Sequence, residues 1–129
     1  MGVRRGTACT ADRRSVHQYA IDVGARSAIA SCAPAASAAP GASIAAKGAG
    51  AALPCEACHG ASLQGVGNIP PLAGRSPAYI VRELLLFRTG ARRNAQALPM
   101  RREASHLTVR DMVAAAAYIA SLGPRRSRQ

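Results

Sequence analysis

Apolar residues recur at helical spacing in two stretches of this chain. Tyr79, Ile80, Leu84 and Phe87 make one stripe, and Met112, Ala115, Ala116, Ile119 and Leu122 make the other. A stripe with a period of about 3.6 predicts a helix that lays one face on a core. The punctuation agrees. Ser76 stands where an N-cap is expected, Pro77 takes the first helical position, and Gly90 ends the first stripe. Thr108 with Asp111 three residues on has the pattern of a capping box, and Gly123-Pro124 closes the second stripe. A third, short helix of alanine and glycine is expected over residues 44–53. Residues 60–74, GASLQGVGNIPPLAG, and residues 91–106, ARRNAQALPMRREASH, lack such periodicity and are expected as loops. No segment alternates as a half-buried strand would, and none repeats. The expected fold class is all-α.

The first part of the chain has a different character. Basic doublets at Arg4-Arg5 and Arg13-Arg14 precede twenty uncharged residues, 27–46. That run has the length of a membrane span, but its only large apolar residues are Ile29 and Ile44, and Pro34 and Pro40 interrupt it. Ala36-Ser37-Ala38 suits signal-peptide cleavage, whereas His17, Asp22 and Arg26 deny it an apolar region upstream. Residues 29–32, IASC, resemble a lipoprotein cleavage box; on that alternative Cys32 would be a lipid anchor and the protein loosely membrane-associated. The reading adopted is a degenerate leader and Ala/Pro/Ser-rich linker over residues 1–43, disordered or cleaved. One folded domain follows over residues 44–123, with a basic tail over residues 124–129.

The candidate chemistry is concentrated in residues 54–60, PCEACHG. Cys55 and Cys58 lie three positions apart and His59 follows directly. A dithiol redox pair would use the cysteines and leave the histidine idle, and it is expected among alternating strands and helices, which this sequence lacks. Structural zinc would use all three and needs a fourth ligand, usually from a second close pair. The remaining candidates, Cys9, Cys32, His17 and His106, are isolated. Covalent attachment of haem gives all three residues a role, with two thiols for the porphyrin vinyl groups and an imidazole for the iron.

Composition points the same way. Alanine supplies much of the 49% hydrophobic content, and the aromatics are Tyr19, Tyr79, Phe87 and Tyr118, with no tryptophan. A core so short of large side chains is completed naturally by an apolar disc. The net charge is +11 over 129 residues, and from Pro40 onward twelve Lys and Arg stand against four Asp and Glu. The arginines, among them Arg92, Arg93, Arg101, Arg102, Arg125, Arg126 and Arg128, fall in expected loops and the tail without interleaved aromatics. That speaks against a base-stacking nucleic-acid surface and for a cationic face that meets an acidic partner.

An iron held by His59 has a second axial position, for which Met100, Met112, His106 and Lys47 compete. Met112 belongs to an apolar helix face, where methionine fills a core. His106 adjoins a helix cap and is expected to face solvent. Met100 sits in a segment longer than a simple connection needs, after a proline expected to extend Leu98. Met100 is the expected distal ligand.

With CEACHG, PPLAG at residues 70–74, YIVRELLLFRTGAR from Tyr79, and MRREASHLTVRDMVAAAAYIASL from Met100, the sequence resembles the class I cytochrome c family of small monohaem domains. The resemblance covers residues 44–122 and implies a small all-α cytochrome c-like domain wrapped around one covalently bound haem c. It implies thioethers at Cys55 and Cys58, a proximal bond from His59 and a distal bond from Met100. It also implies that the Pro70 carbonyl accepts a hydrogen bond from the His59 ring. The expected function is one-electron transfer in a respiratory or periplasmic chain, without a substrate site, as a monomer or within a larger complex. Two alternatives remain at this point: the haem c subunit of a membrane dehydrogenase or oxidase, and an open-site peroxidase or gas sensor. The family places the mature domain in the periplasm.

Overall fold

The computed structural model describes residues 38–122. Of the leader and linker expected over residues 1–43, the part up to residue 37, with Cys9, His17 and Cys32, lies outside the described residues, as do the Gly123-Pro124 stop and the basic tail, whereas residues 38–43 are helical.

Helix α1 runs over Ala38–Lys47, ahead of the expected 44–53. Two local facts explain the shift. Pro40 stands in the first turn, where a backbone N–H has no intrahelical acceptor to lose. Gly48 then takes φ +82, its N–H donates to the Ile44 carbonyl at 2.8 Å, and the chain turns back through the Ala49/Ala52 bridge. The expected continuation to Leu53 is cut off there.

The five-residue helix α2, Cys55–His59, follows, then a 3-10 turn over Ala61–Leu63. Helix α3 spans Pro77–Arg88 and buries Ile80 and Leu84. Pro77 opens it as expected, but the Ser76 side chain makes no capping hydrogen bond. Tyr79, placed on the apolar stripe, lies at its exposed edge. The segment expected as a loop over residues 91–106 contains a 3-10 turn, Ala95–Ala97, and a full helix α4, Leu98–Ser105. Pro99 falls in the first turn of α4, and Leu98 is helical at φ −56, ψ −46, not extended. A proline in that turn removes no helical hydrogen bond, so it starts the helix where it was expected to aim a loop.

Helix α5, Val109–Ser121, has the predicted capping box. The Thr108 hydroxyl accepts from the Asp111 N–H at 3.1 Å, and the Asp111 carboxylate accepts from the Thr108 N–H at 2.9 Å. The Thr108 hydroxyl also donates to the Asp111 carboxylate at 2.6 Å, and this bond first, with the Thr108 N–H bond second, holds the Asp111 carboxyl below its ordinary value.

The core joins Ile44, Leu63, Ile80, Leu84, Leu107, Met112 and Ile119 with a set of alanines. Met112 is fully buried, as core filler should be. Small residues let α1 and α5 cross closely. A Cβ on Gly41 would run into the Ala114 carbonyl and lie 2.7 Å from Tyr118 Cβ. Close backbone approach thus supplies contacts that large side chains supply elsewhere. Among the described residues the only β features are isolated bridges, so the fold is all-α as expected.

Candidate functional site

Cys55 opens α2 and His59 ends it, so this single turn carries both thiols and the imidazole. His59 is buried, 5% exposed, while Cys55 is half-buried and Cys58 exposed. The His59 ring places Nδ1 2.8 Å from the Pro70 carbonyl oxygen. A carbonyl only accepts, so Nδ1 carries the proton and donates. Nε2 then keeps its lone pair for a metal, and the ring orientation is set from behind.

The backbone of residues 59–74 builds this arrangement. The His59 carbonyl accepts from the Gly65 N–H at 2.8 Å. The Leu63 carbonyl accepts from Leu72 at 2.9 Å and Ala73 at 3.1 Å, and Gly74 donates to Ile119 at 2.9 Å. Ser62 and Leu63 are left-handed at φ 59 and 57, which non-glycine residues seldom adopt. Gly65 is the tightest point. Its φ is +83, and a Cβ there would lie 2.8 Å from both the Ile69 carbonyl oxygen and the Pro71 nitrogen. Only glycine lets the strand of chain bearing Pro70 pass this close to His59.

Three chemistries can now be weighed on geometry. Burial holds the Cys55 thiol above its ordinary value, and the neighbouring Glu56 and Cys58 charges add to the effect against a lowering by its own backbone N–H. A redox dithiol works through a thiol of lowered pKa, and burial acts on Cys55 in the opposite direction. Among the described residues, no group of three or more His, Cys, Asp and Glu side chains could hold a metal ion, so the zinc arrangement is not formed.

A haem suits what is present. The donor set offers two thiols, an imidazole nitrogen with a free lone pair, and the half-buried thioether of Met100 packed against the core. Large apolar side chains stay exposed on both sides in sequence: Val66 at 57%, Ile69 at 39% and Leu98 at 64%. The Gln64 side-chain oxygen is buried without a hydrogen-bond partner. Uncovered apolar surface and an orphaned acceptor mark surroundings that a further group completes.

A family model described as cytochrome c matches residues 38–123. The chain belongs to the cytochrome c family. Membership implies covalently bound haem c. Cytochrome c-552 of Acidithiobacillus ferridurans is 41% identical over 68 residues, which make up 53% of this chain and 28% of that protein. The thiosulfate dehydrogenase electron acceptor of Stutzerimonas stutzeri is 37% identical over 58% of this chain and 35% of its own length. Cytochrome c-554(548) of Halomonas halodenitrificans is 37% identical over 52% of this chain and 82% of its own. Among solved structures, reduced cytochrome c4 from Pseudomonas stutzeri superposes with a TM-score of 0.63 at 33% identity, over 70% of this chain and 50% of that one. Cytochrome c4 from Acidithiobacillus ferrooxidans gives 0.60 at 36% identity, over 67% and 51%. This cytochrome c chain therefore spans well under two thirds of the first two relatives and about half of each cytochrome c4.

The predicted site residues fall in two groups. Cys55, Cys58, His59 and Pro70 come together around α2. Met100 lies on α4, a separate helix, and His106 and Lys47 are exposed. Two features near the site have no mark in the sequence. Gly65 is one of several glycines in the expected loop over residues 60–74, with nothing to single it out. Glu103 accepts from the Leu53 N–H at 2.7 Å across 50 residues, a pairing with no local signature.

Proposed function

We propose that this cytochrome c domain is a periplasmic one-electron carrier. It would hold one haem c through thioethers at Cys55 and Cys58, with His59 and Met100 as axial ligands, as in the class I monohaem proteins. The observation that carries the reading is the His59 Nδ1–H bond to the Pro70 carbonyl at 2.8 Å, which leaves Nε2 for iron. When bound, the haem supplies a ferric/ferrous couple. Methionine sulfur at the distal position favours the ferrous state, and filling both axial positions leaves no room for substrate. Burial of His59 excludes water from the proximal side.

Arginines support docking to an acidic partner. Arg75 and Arg82 lie 5.9 and 5.4 Å from the Tyr79 ring centre, and Arg92 lies 4.8 Å from that of Phe87. Arg92 is neutralised by Glu83 at 2.6 Å, whereas Arg75 has no carboxylate partner among the described residues. Folding thus does bring aromatics among the arginines, contrary to the sequence expectation, but their faces are taken by the protein's own guanidinium groups. Association through such a face weakens as salt rises.

Absorption spectra of the oxidised and reduced protein test the reading. We expect sharp low-spin reduced bands and the weak far-red ferric band of an iron–thioether bond, the latter lost in Met100→Ala. A high-spin spectrum in the unmodified protein with ready binding of carbon monoxide would overturn it in favour of an open site. A second reading, a permanent haem c subunit of a larger membrane complex, draws on Val109 and Val113, one turn apart on α5 and 48% and 47% exposed. Co-purification with a larger chain at high salt would select it. No helix among the described residues is long and apolar enough to cross a membrane.

A further inference from the structure

Four acidic side chains lie in the described residues, and three act close to home in sequence. Glu56 stands in the first turn of α2, Glu83 pairs with Arg82 and Arg92, and Asp111 closes the capping box of α5. Glu103 acts at long range. Its Oε2 accepts from the Leu53 N–H at 2.7 Å, although Arg101 and Arg102 precede it on the same helix. A contact this short between a carboxylate and a backbone amide is charge-assisted, with a stricter geometry than an exposed ion pair.

Both ends of this bond matter. Leu53 precedes Pro54, the N-cap of α2, and Pro54 has no N–H, so Leu53 offers the last backbone donor before Cys55. Glu103 lies three residues past Met100 on α4, hence on the same helix face. Elsewhere α4 is anchored to α3, with Ala104 fully buried in the core. Among the described residues this is the one hydrogen bond between α4 and the segment over residues 48–59.

We propose that Glu103 is a positioning residue that clips the segment delivering Cys55, Cys58 and His59 to the helix delivering Met100. The inference rests on the His/Met reading above. His59 is oriented by the chain around it, while α4 approaches from another part of the fold. The Glu103 carboxylate sets the spacing between them and keeps the Met100 thioether at the distal position. Without it α4 stays packed on α3, but its Met100 face swings free of α2, and the fraction of molecules with Met100 dissociated rises.

Three variants of the haem-loaded full chain separate position from charge. Glu103→Ala removes the acceptor, Glu103→Gln keeps its reach without charge, and Glu103→Asp keeps the charge one methylene short. The readout is imidazole binding to the ferric protein, which displaces methionine and erases the far-red band, together with hydrogen exchange of the Leu53 amide. Glu103→Ala should bind imidazole roughly tenfold more tightly and exchange Leu53 faster, the scale expected for losing a charge-assisted hydrogen bond. Glu103→Gln, which keeps the acceptor at the same reach but loses the charge assistance, should show at most about half of the alanine effect, and Glu103→Asp should resemble alanine; these two keep the test valid where the alanine variant folds poorly. The reverse order, with Asp near wild type and Gln near alanine, overturns the clip in favour of a charge effect. Unchanged imidazole affinity in all three also overturns it. A wild-type protein without the far-red band refutes methionine ligation itself, a separate failure recognisable before any variant is made.

Discussion

Residues 59–74 hold His59 through the backbone itself, whereas the helix that carries Met100, packed on α3, is bonded to the segment leading into Cys55 through one side chain. On the first side the chain bonds to itself at Gly65, Leu72 and Ala73, is tied to α5 at Gly74, and aims the Pro70 carbonyl at the imidazole. On the second, Met100 is half-buried, Leu98 beside it is exposed, and Glu103 reaches Leu53 alone. On the proposed His/Met ligation, the difference teaches how two ligands in one small domain would come to be held with unequal restraint. A ring held by a loop of left-handed residues can move only if many hydrogen bonds rearrange, whereas α4 is packed on α3 and joined to the segment before Cys55 by one carboxylate. On the proposed ligation the His59 side would be the fixed half of the site and the Met100 side its adjustable half.

Breaking the backbone side should have the largest effect, and a pair of glycines isolates the cause. Gly65→Ala adds a Cβ 2.8 Å from the Ile69 oxygen and Pro71 nitrogen at φ +83. The left-handed conformation costs alanine about 1–2 kcal/mol, and the overlap adds on the order of 1–3 more. Gly67→Ala shares the positive φ, +55, but meets nothing within 4 Å. It should cost only the conformational part, about 1 kcal/mol. Denaturant unfolding of the haem-loaded protein measures both. The His59 Nδ1–H proton resonance should shift in the first variant and stay in the second. Equal losses in the two would mean that the close passage of the Pro70 segment does not matter.

Helices with local signals were legible in sequence, and features made by distant residues were not. The α5 capping box is written in Thr108 and Asp111, and α3 in its stripe and Pro77, because these depend on neighbours a turn away. The Pro70 contact was reachable only through family resemblance, since spacing does not say which carbonyl meets a ring. Proline misled twice. Pro40 and Pro99 look like interruptions, yet each occupies a first helical turn, so α1 begins earlier than expected and Met100 lies on a helix instead of a loop. Ser76 had the right identity for a cap but makes no bond, because residue type alone does not set a side chain's direction. The Glu103–Leu53 bond spans 50 residues and leaves no periodic trace.

Acid should weaken the start of α5. The capping box follows α4 directly, and Arg88 donates to the intervening Leu107 carbonyl at 3.3 Å. The folded Asp111 carboxyl lies below its ordinary value of 3.8, chiefly through Thr108, so the folded state favours the charged form. Its contribution to stability is present above the ordinary value and is lost as pH falls through the lowered folded one. The group is exposed, which keeps the effect at or under about 1 kcal/mol. Asp111→Asn should show a smaller fall in stability between neutral pH and pH near 3 than wild type. Parallel acid curves for the two proteins would remove Asp111 as the cause.

The smallest change should strengthen the fixed half. Ser62 is exposed and sits at φ 59, ψ 15, beside Leu63 at φ 57. Leu63 is fully buried, so its strain is tied to core packing and cannot be relieved without a cavity. Ser62 carries no such burden. Replacing it with glycine removes a left-handed penalty of about 1 kcal/mol, while the freer unfolded chain takes back roughly half. Ser62→Gly should therefore gain about 0.5 kcal/mol and raise Tm by a few degrees. Imidazole affinity at the iron should not change, because the strain relieved belongs to the His59 side. A loss of stability would show that the left-handed serine is held by something worth more than its strain. A change in imidazole affinity would mean that the two halves are coupled and that restraint at His59 is felt at Met100.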